Sequence, residues 1–251
     1  ALRRQSNNGK SQFTAGLGVQ FIEVEEPDEE DSERFVFDYY SGEDSLQLFD
    51  DDKLFGSLQL GYQLDLRDNT TMPTQGILLS LGASRVSGLR GEDQEEINFT
   101  RFTGEFAFWL SAGGRFRTTL ASRVGGAIND GNFQESFQAN RLGGGLNLRG
   151  YRRMRFAGER AFYWNNDLRI KLFNIRSYLF PGEFGINGFV DSGRVWVDND
   201  PSTETGTSDQ WHTGYGGGIW ITPYQFTVIG LDLAWSEEEQ ALPFLRFGFF
   251  F

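Results

Sequence analysis

Four arginines, Arg149, Arg152, Arg153 and Arg155, lie close together in the stretch GLNLRGYRRMR (145–155). Guanidinium groups pair with phosphates and carboxylates, so such a cluster is typical of a surface that binds nucleic acid or an acidic partner. The whole chain, however, carries a formal net charge of -12, from 23 Lys and Arg against 35 Asp and Glu. This excess of acidic residues argues against nucleic-acid binding. It leaves the carboxylates of the protein itself as candidate partners of the four arginines.

Residues that could support catalysis are scarce. The sequence has no cysteine, which excludes disulfides, thiolate metal sites and a cysteine nucleophile. His212 is the only histidine, and its place beside Trp211 at the start of a predicted strand favours an interfacial position over a Ser-His-Asp triad. In the run GYGGGIW (214–220) no Lys-Ser/Thr follows and no helix begins, so a strand that another segment approaches closely is favoured over a phosphate loop. We therefore predict no enzymatic activity, no cofactor and no metal site.

The elements that must position these residues have the period of β-strands. Within residues 53–66, Leu54, Leu58 and Leu60 fall on one face, whereas Gln59 and Asp65 fall on the other. Alternation of this kind indicates strands with one apolar and one polar face. The same pattern predicts about ten strands along the chain: 10–24, 53–66, 75–88, 97–110, 114–128, 162–173, 183–197, 211–222, 226–237 and 242–251.

Strand length and the charge on one strand face indicate an all-β, antiparallel transmembrane β-barrel. Most predicted strands match the ~9–11 residues that a tilted strand needs to cross a membrane, and exceed the ~5–6 typical of globular proteins. Arg115, Arg117 and Arg123 share one face, which suits a wet lumen and not a dry core. The connections sort into short turns (111–114, 174–183 and 222–225) and long polar loops (25–52, 129–161 and 198–210), as in outer-membrane barrels.

The acidic loop 25–52 contains runs of Asp and Glu. Such runs are typical of a solvated loop that needs no partner. The alternative is divalent-cation bridging near lipid phosphates, although the spacing resembles no defined calcium loop.

The two ends of the chain give further expectations. No apolar segment follows the arginines of residues 1–10, so either a secretory signal has been removed or the chain is a fragment. At the other end Phe247, Phe249 and Phe251 share a face with Leu245. We expect this face to contact lipid and to serve as a C-terminal barrel signal.

Three stretches resemble one family: LDLRDNTTMPTQGILLSLG (64–82), RLGGGLNLRGYRRMRFAGERAFYWNNDLRIKLF (141–173) and GFVDSGRVW (188–196). With the terminal Phe, they are similar to the C-terminal barrel of the BamA/TamA outer-membrane assembly and translocation superfamily, the bacterial surface antigen family. The resemblance covers the chain from about residue 53 to its end, and it implies about 16 strands preceded by periplasmic domains.

Ten predicted strands are fewer than the resemblance implies. We therefore expect residues 1–251 to be a single barrel domain that forms the C-terminal part of a longer barrel, without its upstream strands and any periplasmic or enzyme domain. A smaller barrel closed within this chain is the other possibility. In the family, the missing first strand pairs weakly with the last strand and forms a lateral gate.

The resemblance also assigns a role to the arginine cluster. Residues 148–151 look like the family's [V/L]-R-G-[F/Y] tip, which belongs to a long extracellular loop folded back into the lumen; here the tip is Leu148, Arg149, Gly150 and Tyr151. The family implies that Arg149 pairs with lumen-facing acids, for which Asp167 and Asp191 are the matching positions. The alternative is a set of separate lumen charges solvated by water.

The other arginines of the cluster have no assigned partners. For Arg152, Arg153 and Arg155 we expect pairing with further lumen acids such as Glu105 or Asp65, or exposure to water.

The resemblance implies a protein of the bacterial outer membrane that assists the folding, insertion or translocation of polypeptides. Its partners would be outer-membrane lipid, unfolded or secreted polypeptide clients and accessory outer-membrane or periplasmic subunits. Two alternatives stay open: a barrel that anchors or secretes a fused upstream enzyme domain, such as a patatin-like lipase or a metallophosphatase, and a plain porin.

Overall fold

A computed structural model describes residues 2–6, 9–22, 53–90, 98–114, 116–132, 138–178, 180–196, 210–249 and 251. The acidic loop 25–52, with its predicted solvation or cation bridging, lies outside the described residues, as does 198–209. No helix within the described ranges is long and apolar enough to cross a membrane.

β-Strands dominate the described chain, and a 3-10 turn covers Pro223–Gln225. The strands are β1 (Leu2–Gln5), β2 (Ser11–Ile22), β3 (Lys53–Asp65), β4 (Gly76–Arg90), β5 (Asn98–Ala112), β6 (Thr118–Asn132), β7 (Asn140–Leu142), β8 (Phe156–Gly158), β9 (Arg160–Ile175), β10 (Gly182–Trp196), β11 (His212–Ile221), β12 (Ile229–Trp235) and β13 (Leu242–Phe247). All ten predicted strands are confirmed, with shifted ends. The sequence pattern missed β1, β7 and β8, because three or four residues are too few to show alternation.

Eleven strands form one antiparallel sheet in the order β1-β2-β3-β4-β5-β6-β9-β10-β11-β12-β13, and β7 pairs only with β8. Neighbours in the chain are neighbours in the sheet, except that β6 pairs with β9 around the inserted β7–β8 hairpin. Within the described residues β1 and β13 are the two edges of the sheet. The connections 66–75, 113–117, 176–181 and 222–228 lie together at one end of the sheet, called here the turn end. The connection between β6 and β9 and the short turn 236–241 between β12 and β13 lie at the opposite end, called here the loop end.

The two faces of the sheet differ in chemistry. The outer face exposes apolar side chains such as Leu60, Leu110 and Leu245, as expected of a surface in contact with lipid. The inner face, called here the lumen wall, carries buried polar groups such as Asp167 and Asp191.

The apolar core lies between the lumen wall and the segment that follows β6. Its largest cluster contains Leu142, Leu148, Tyr151 and Phe156 from that segment, packed against Val195 of β10. The core thus fixes the segment to the wall, and this contact positions the arginine cluster.

The turn 66–75 at the turn end is built around the Asp68 carboxylate. It accepts hydrogen bonds from the backbone N–H groups of Asn69, Thr74 and Gln75 and from the Thr74 hydroxyl. Partial burial raises the pKa of Asp68, but the four hydrogen bonds together lower it by more than burial raises it. The net pKa therefore lies below the ordinary value of 3.8. The ionised carboxylate therefore holds the turn together at neutral pH.

The depressed pKa of Asp68 gives a pH prediction. A lowered folded-state pKa means that the stabilisation is present above the unfolded pKa, near 3.8, and is lost as the pH falls through the folded value. A carbon NMR titration of the Asp68 carboxyl in micelles should therefore give a midpoint below 3.8. Thr74→Val, which removes one donor at similar shape, should move the midpoint upward; an unchanged midpoint would contradict the assignment.

Candidate functional site

The connection between β6 and β9 turns back along the lumen wall and buries its tip. Residues 138–159 of this connection, called here the lumen loop, contain the β7–β8 hairpin and a bridge between Gly144 and Leu148. At the tip Leu148 and Tyr151 have no exposed surface and Arg149 is 1% exposed. The prediction of a long loop folded into the barrel is therefore confirmed for the described residues.

Arg149 lies between the two aspartates that the family motif assigned to it. Its Nε donates to Oδ2 of Asp191 over 2.6 Å, and its Nη2 donates to Oδ1 of Asp191 and to Oδ1 of Asp167, each over 2.7 Å. The backbone N–H of Arg149 also donates to Asp191, over 3.1 Å. The face of the guanidinium covers the Phe189 ring, with Cζ 3.6 Å from the ring centroid. The planar fork of arginine is thus used in the bidentate geometry that suits a carboxylate.

The charges of this cluster are removed from water. Arg149, Asp167 and Asp191 are each at most 1% exposed. Burial lowers the pKa of Arg149, but the two carboxylates raise it more, so the net pKa lies above its already high ordinary value. The guanidinium therefore stays charged at any physiological pH, and the contact acts as a permanent electrostatic lock between the loop tip, β9 and β10.

Two glycines make room for the tip. Gly150 has φ +95, a left-handed conformation that favours glycine. On β11, a Cβ added to Gly214 would lie 1.7 Å from the carbonyl oxygen of Arg149. The predicted close approach to the glycine run is confirmed at this position, since only a residue without a side chain lets the tip reach the wall.

Further contacts hold the tip to the turn 236–241 between β12 and β13. The Ser236 hydroxyl donates to the Gly150 carbonyl over 2.6 Å. The Tyr151 hydroxyl lies 3.3 Å from the Thr213 carbonyl and from Glu237. The Tyr151 side chain packs against the lumen wall, in the same apolar cluster as Val195 of β10.

Two of the remaining arginines pair with the same turn. Arg152 Nε lies 2.6 Å from Glu239, and Arg155 Nε lies 2.8 Å from Glu238. Glu105 and Asp65 are not their partners, because the acidic turn 236–241 lies next to the loop; the alternative expectation, exposure to water, agrees with both side chains. Arg152 and Arg155 are exposed, and exposed ion pairs contribute only about 0–1 kcal/mol each.

The acids that the sequence analysis offered have other partners. Glu105 accepts a hydrogen bond from the Tyr163 hydroxyl over 2.7 Å and lies 3.5 Å from Arg123. Asp65 binds Arg67 over 2.7 Å. Arg153, in contrast, is exposed, in line with the predicted contact with water.

His212 is buried at the loop end of β11, not interfacial as predicted. Its ring stacks on Phe156 with centroids 3.8 Å apart, and Nδ1 lies 2.9 Å from Glu237. The side chain therefore helps to clamp the lumen loop against the turn 236–241.

The C-terminal residues divide between the two faces. Phe247 is 76% exposed on the outer face, as expected. After Gly248, which has φ +100, the chain turns inward and Phe249 lies 4.0 Å from the guanidinium carbon of Arg169. Phe251 packs inside near Trp109, with ring centroids 6.3 Å apart. The predicted lipid-facing row is therefore wrong for Phe249 and Phe251, because Gly248 ends the alternation.

Two lumen arginines that sequence reasoning did not assign connect this tail to the lumen loop. Arg123 donates to the Leu146 carbonyl over 2.7 Å, and its Cζ lies 5.0 Å from the Phe251 ring centroid. Arg169 donates to Asp167 over 3.2 Å and to the Phe251 carbonyl over 3.0 Å. The only available signal was their position on the polar faces of β6 and β9.

No cluster of three or more His, Asp or Glu side chains among the described residues could hold a metal ion. The arrangement consists of ion pairs and aromatic packing that hold the lumen loop against the lumen wall.

Long antiparallel strands, an apolar outer face and a loop locked inside by an arginine define the class: an outer-membrane β-barrel with a lumen loop. Residues 2–251 match the Omp85 superfamily domain. The chain belongs to the Omp85 superfamily and is a protein of the bacterial outer membrane.

The fold is similar to that of BamA from Haemophilus ducreyi lacking POTRA domains 1-3, known from a crystal structure. The TM-score is 0.58 at 15% sequence identity, over 95% of this chain and 50% of that chain. The chain thus spans about half the length of that relative. No curated protein matches the sequence significantly.

Proposed function

We propose that this barrel assists the folding, insertion or translocation of polypeptides at the outer membrane, and that residues 1–251 act as one barrel domain. The family match supports a role in outer-membrane protein assembly or translocation. The observation that carries the proposal is the lumen loop held against the lumen wall by Arg149, which pairs with Asp167 of β9 and Asp191 of β10.

In the family that the chain belongs to, the last strand pairs weakly with the first and forms a lateral gate, and strand addition is a general mode of peptide recognition. A client strand would therefore pair with β13 while the lumen loop keeps the wall rigid. Clients would be unfolded or secreted polypeptides, and accessory outer-membrane or periplasmic subunits would deliver them. The barrel supplies no bond chemistry and needs no cofactor in this role.

A photocrosslinking experiment in liposomes tests this proposal with the full-length protein and an unfolded client barrel. A photoreactive amino acid at Leu245, on the outer face of β13, should crosslink to the client. The matched control is Leu168, which is also exposed on the outer face but lies on β9, between two paired strands. Equal crosslinking at both positions, or none at Leu245, would contradict the proposal.

The same liposomes separate the alternatives. Acceleration of client folding is expected from an assembly barrel and not from a barrel that only anchors an enzyme domain. A large, steady conductance in planar bilayers would favour a plain porin, because the locked loop should prevent an open lumen.

A further inference from the structure

Three cationic side chains line a small cavity at the turn end of the lumen wall. Arg169 and Lys171 belong to β9, and Arg117 directly precedes β6. The turn 66–75 contributes its residues 72–74 to the wall, and no carboxylate of the described residues lines the cavity. The cavity has a volume of about 10 Å³, which suits one water molecule or one ion of similar size and excludes an organic ligand.

Arg169 has buried donors in this wall that the protein does not use. The residue is 3% exposed. Its Nη2 donates to Asp167 and to the Phe251 carbonyl, whereas its Nε and Nη1 have no hydrogen-bond partner among the described residues. Unpaired buried donors of a charged group are costly, and in native proteins such groups usually indicate a bound water or ion.

The charges around the cavity favour an anion over a water molecule. Arg117 and Lys171 share one carboxylate, that of Glu183, over 2.9 and 2.6 Å, so these three side chains carry one net positive charge. Asp167, the partner of Arg169, cannot offset this charge, because it also binds the guanidinium of the lumen-loop tip. The Lys171 ammonium has three donors and uses one of them for Glu183.

We propose that the cavity binds one monoatomic anion of the size of chloride, held between Arg169 and Lys171. The anion accepts hydrogen bonds from the open donors of Arg169 and neutralises the surplus charge beside Glu183. Because residues 72–74 form part of the wall, the bound anion also holds the turn 66–75 against β9. The site does not depend on the proposed role in assembly.

Bromide soaking of crystals of the full-length protein tests the site directly. Bromide substitutes for chloride and scatters X-rays anomalously, so we expect one anomalous peak between Arg169 and Lys171. A water molecule at this position with no anomalous signal would overturn the proposal.

Thermal unfolding in detergent tests the binding in solution. A ligand that binds only the folded protein raises its stability with concentration, so the midpoint should be higher in sodium chloride than in sodium gluconate at equal ionic strength, because gluconate is too large for the cavity. Lys171→Gln removes the surplus charge and one donor, and it should weaken the apparent chloride affinity about tenfold or more, as expected for the loss of a charge-assisted hydrogen bond.

Two further variants separate anion binding from a structural role. Arg176→Gln is the matched control: Arg176 is exposed at the same end of the sheet and does not line the cavity, so its loss should leave the chloride effect unchanged. Glu183→Gln takes away the only carboxylate that Arg117 and Lys171 share, and it should increase the chloride effect even though it removes two ion pairs. Equal chloride effects in the Lys171 and Arg176 variants, or a smaller effect in the Glu183 variant, would overturn the anion site.

Discussion

Arg149→Ala is expected to lower the free energy of unfolding by about 3–5 kcal/mol, the cost typical of removing one partner from a buried ion pair. Without the guanidinium, Asp167 and Asp191 are left as buried carboxylates that have lost their shared partner. The lumen loop should then leave the wall. Urea titration of the protein in lipid vesicles, followed by tryptophan fluorescence, measures the effect.

Two controls separate the lock from the general effect of losing an arginine. Arg153→Ala removes an exposed guanidinium from the same loop and should change the stability by no more than about 0.5 kcal/mol. The double variant Arg149→Met, Asp191→Asn removes the guanidinium together with the Asp191 charge and leaves Asp167 paired with Arg169. It should be less destabilised than Arg149→Ala, since Asp191 no longer stays buried as an uncompensated charge. Equal stability of the Arg149 and Arg153 variants would contradict the lock.

Gly214→Ala is expected to displace the loop tip although it changes no charge. The new methyl group would lie 1.7 Å from the Arg149 carbonyl oxygen. Two non-bonded atoms at this distance clash, so the loop tip must move. Overpacking of this kind costs about 1–3 kcal/mol, and the tip must also lose part of its contact with Asp191. Hydrogen exchange of the peptide 144–155 measures the result, because the Arg149 amide is protected by its bond to Asp191.

Gly188→Ala is the matched control for this substitution. Gly188 lies on β10, next to β11 in the sheet, and a Cβ there would be 3.8 Å from the nearest atom, the Gly216 carbonyl oxygen. Its exchange and stability should resemble those of the unmodified protein. Normal protection of the tip in the Gly214 variant would show that the close approach does not hold the loop.

Much of the sheet could be predicted because long strands repeat the period of two many times. The sixteen residues of β9 show it clearly, whereas the three residues of β7 cannot. The alternation also placed Asp167 and Asp191 on the polar face, but only the family motif connected them with Arg149.

The misplaced residues depend on contacts between distant parts of the chain. The partners of Arg152 and Arg155 lie 87 and 83 residues away, on a turn that carries no pattern of its own. Phe249 and Phe251 continue the spacing of β13 in sequence, yet the single left-handed Gly248 reverses their side. Residue spacing along the chain cannot predict the partners of these arginines or the inward turn of the tail, because both depend on packing in three dimensions.

Asp167 is bound by two arginines, Arg149 and Arg169, and this arrangement has a thermodynamic consequence. Asp167 binds the loop tip through Arg149 and the tail through Arg169, which itself holds the carbonyl of Phe251. Linkage makes any cooperativity between two such binding events reciprocal: the free energy that a seated loop adds to the tail equals the free energy that a seated tail adds to the loop. Whatever the sign of this coupling, a change that displaces the tail from Arg169 alters the free energy of seating the lumen loop by the same amount that displacing the lumen loop alters the seating of the tail.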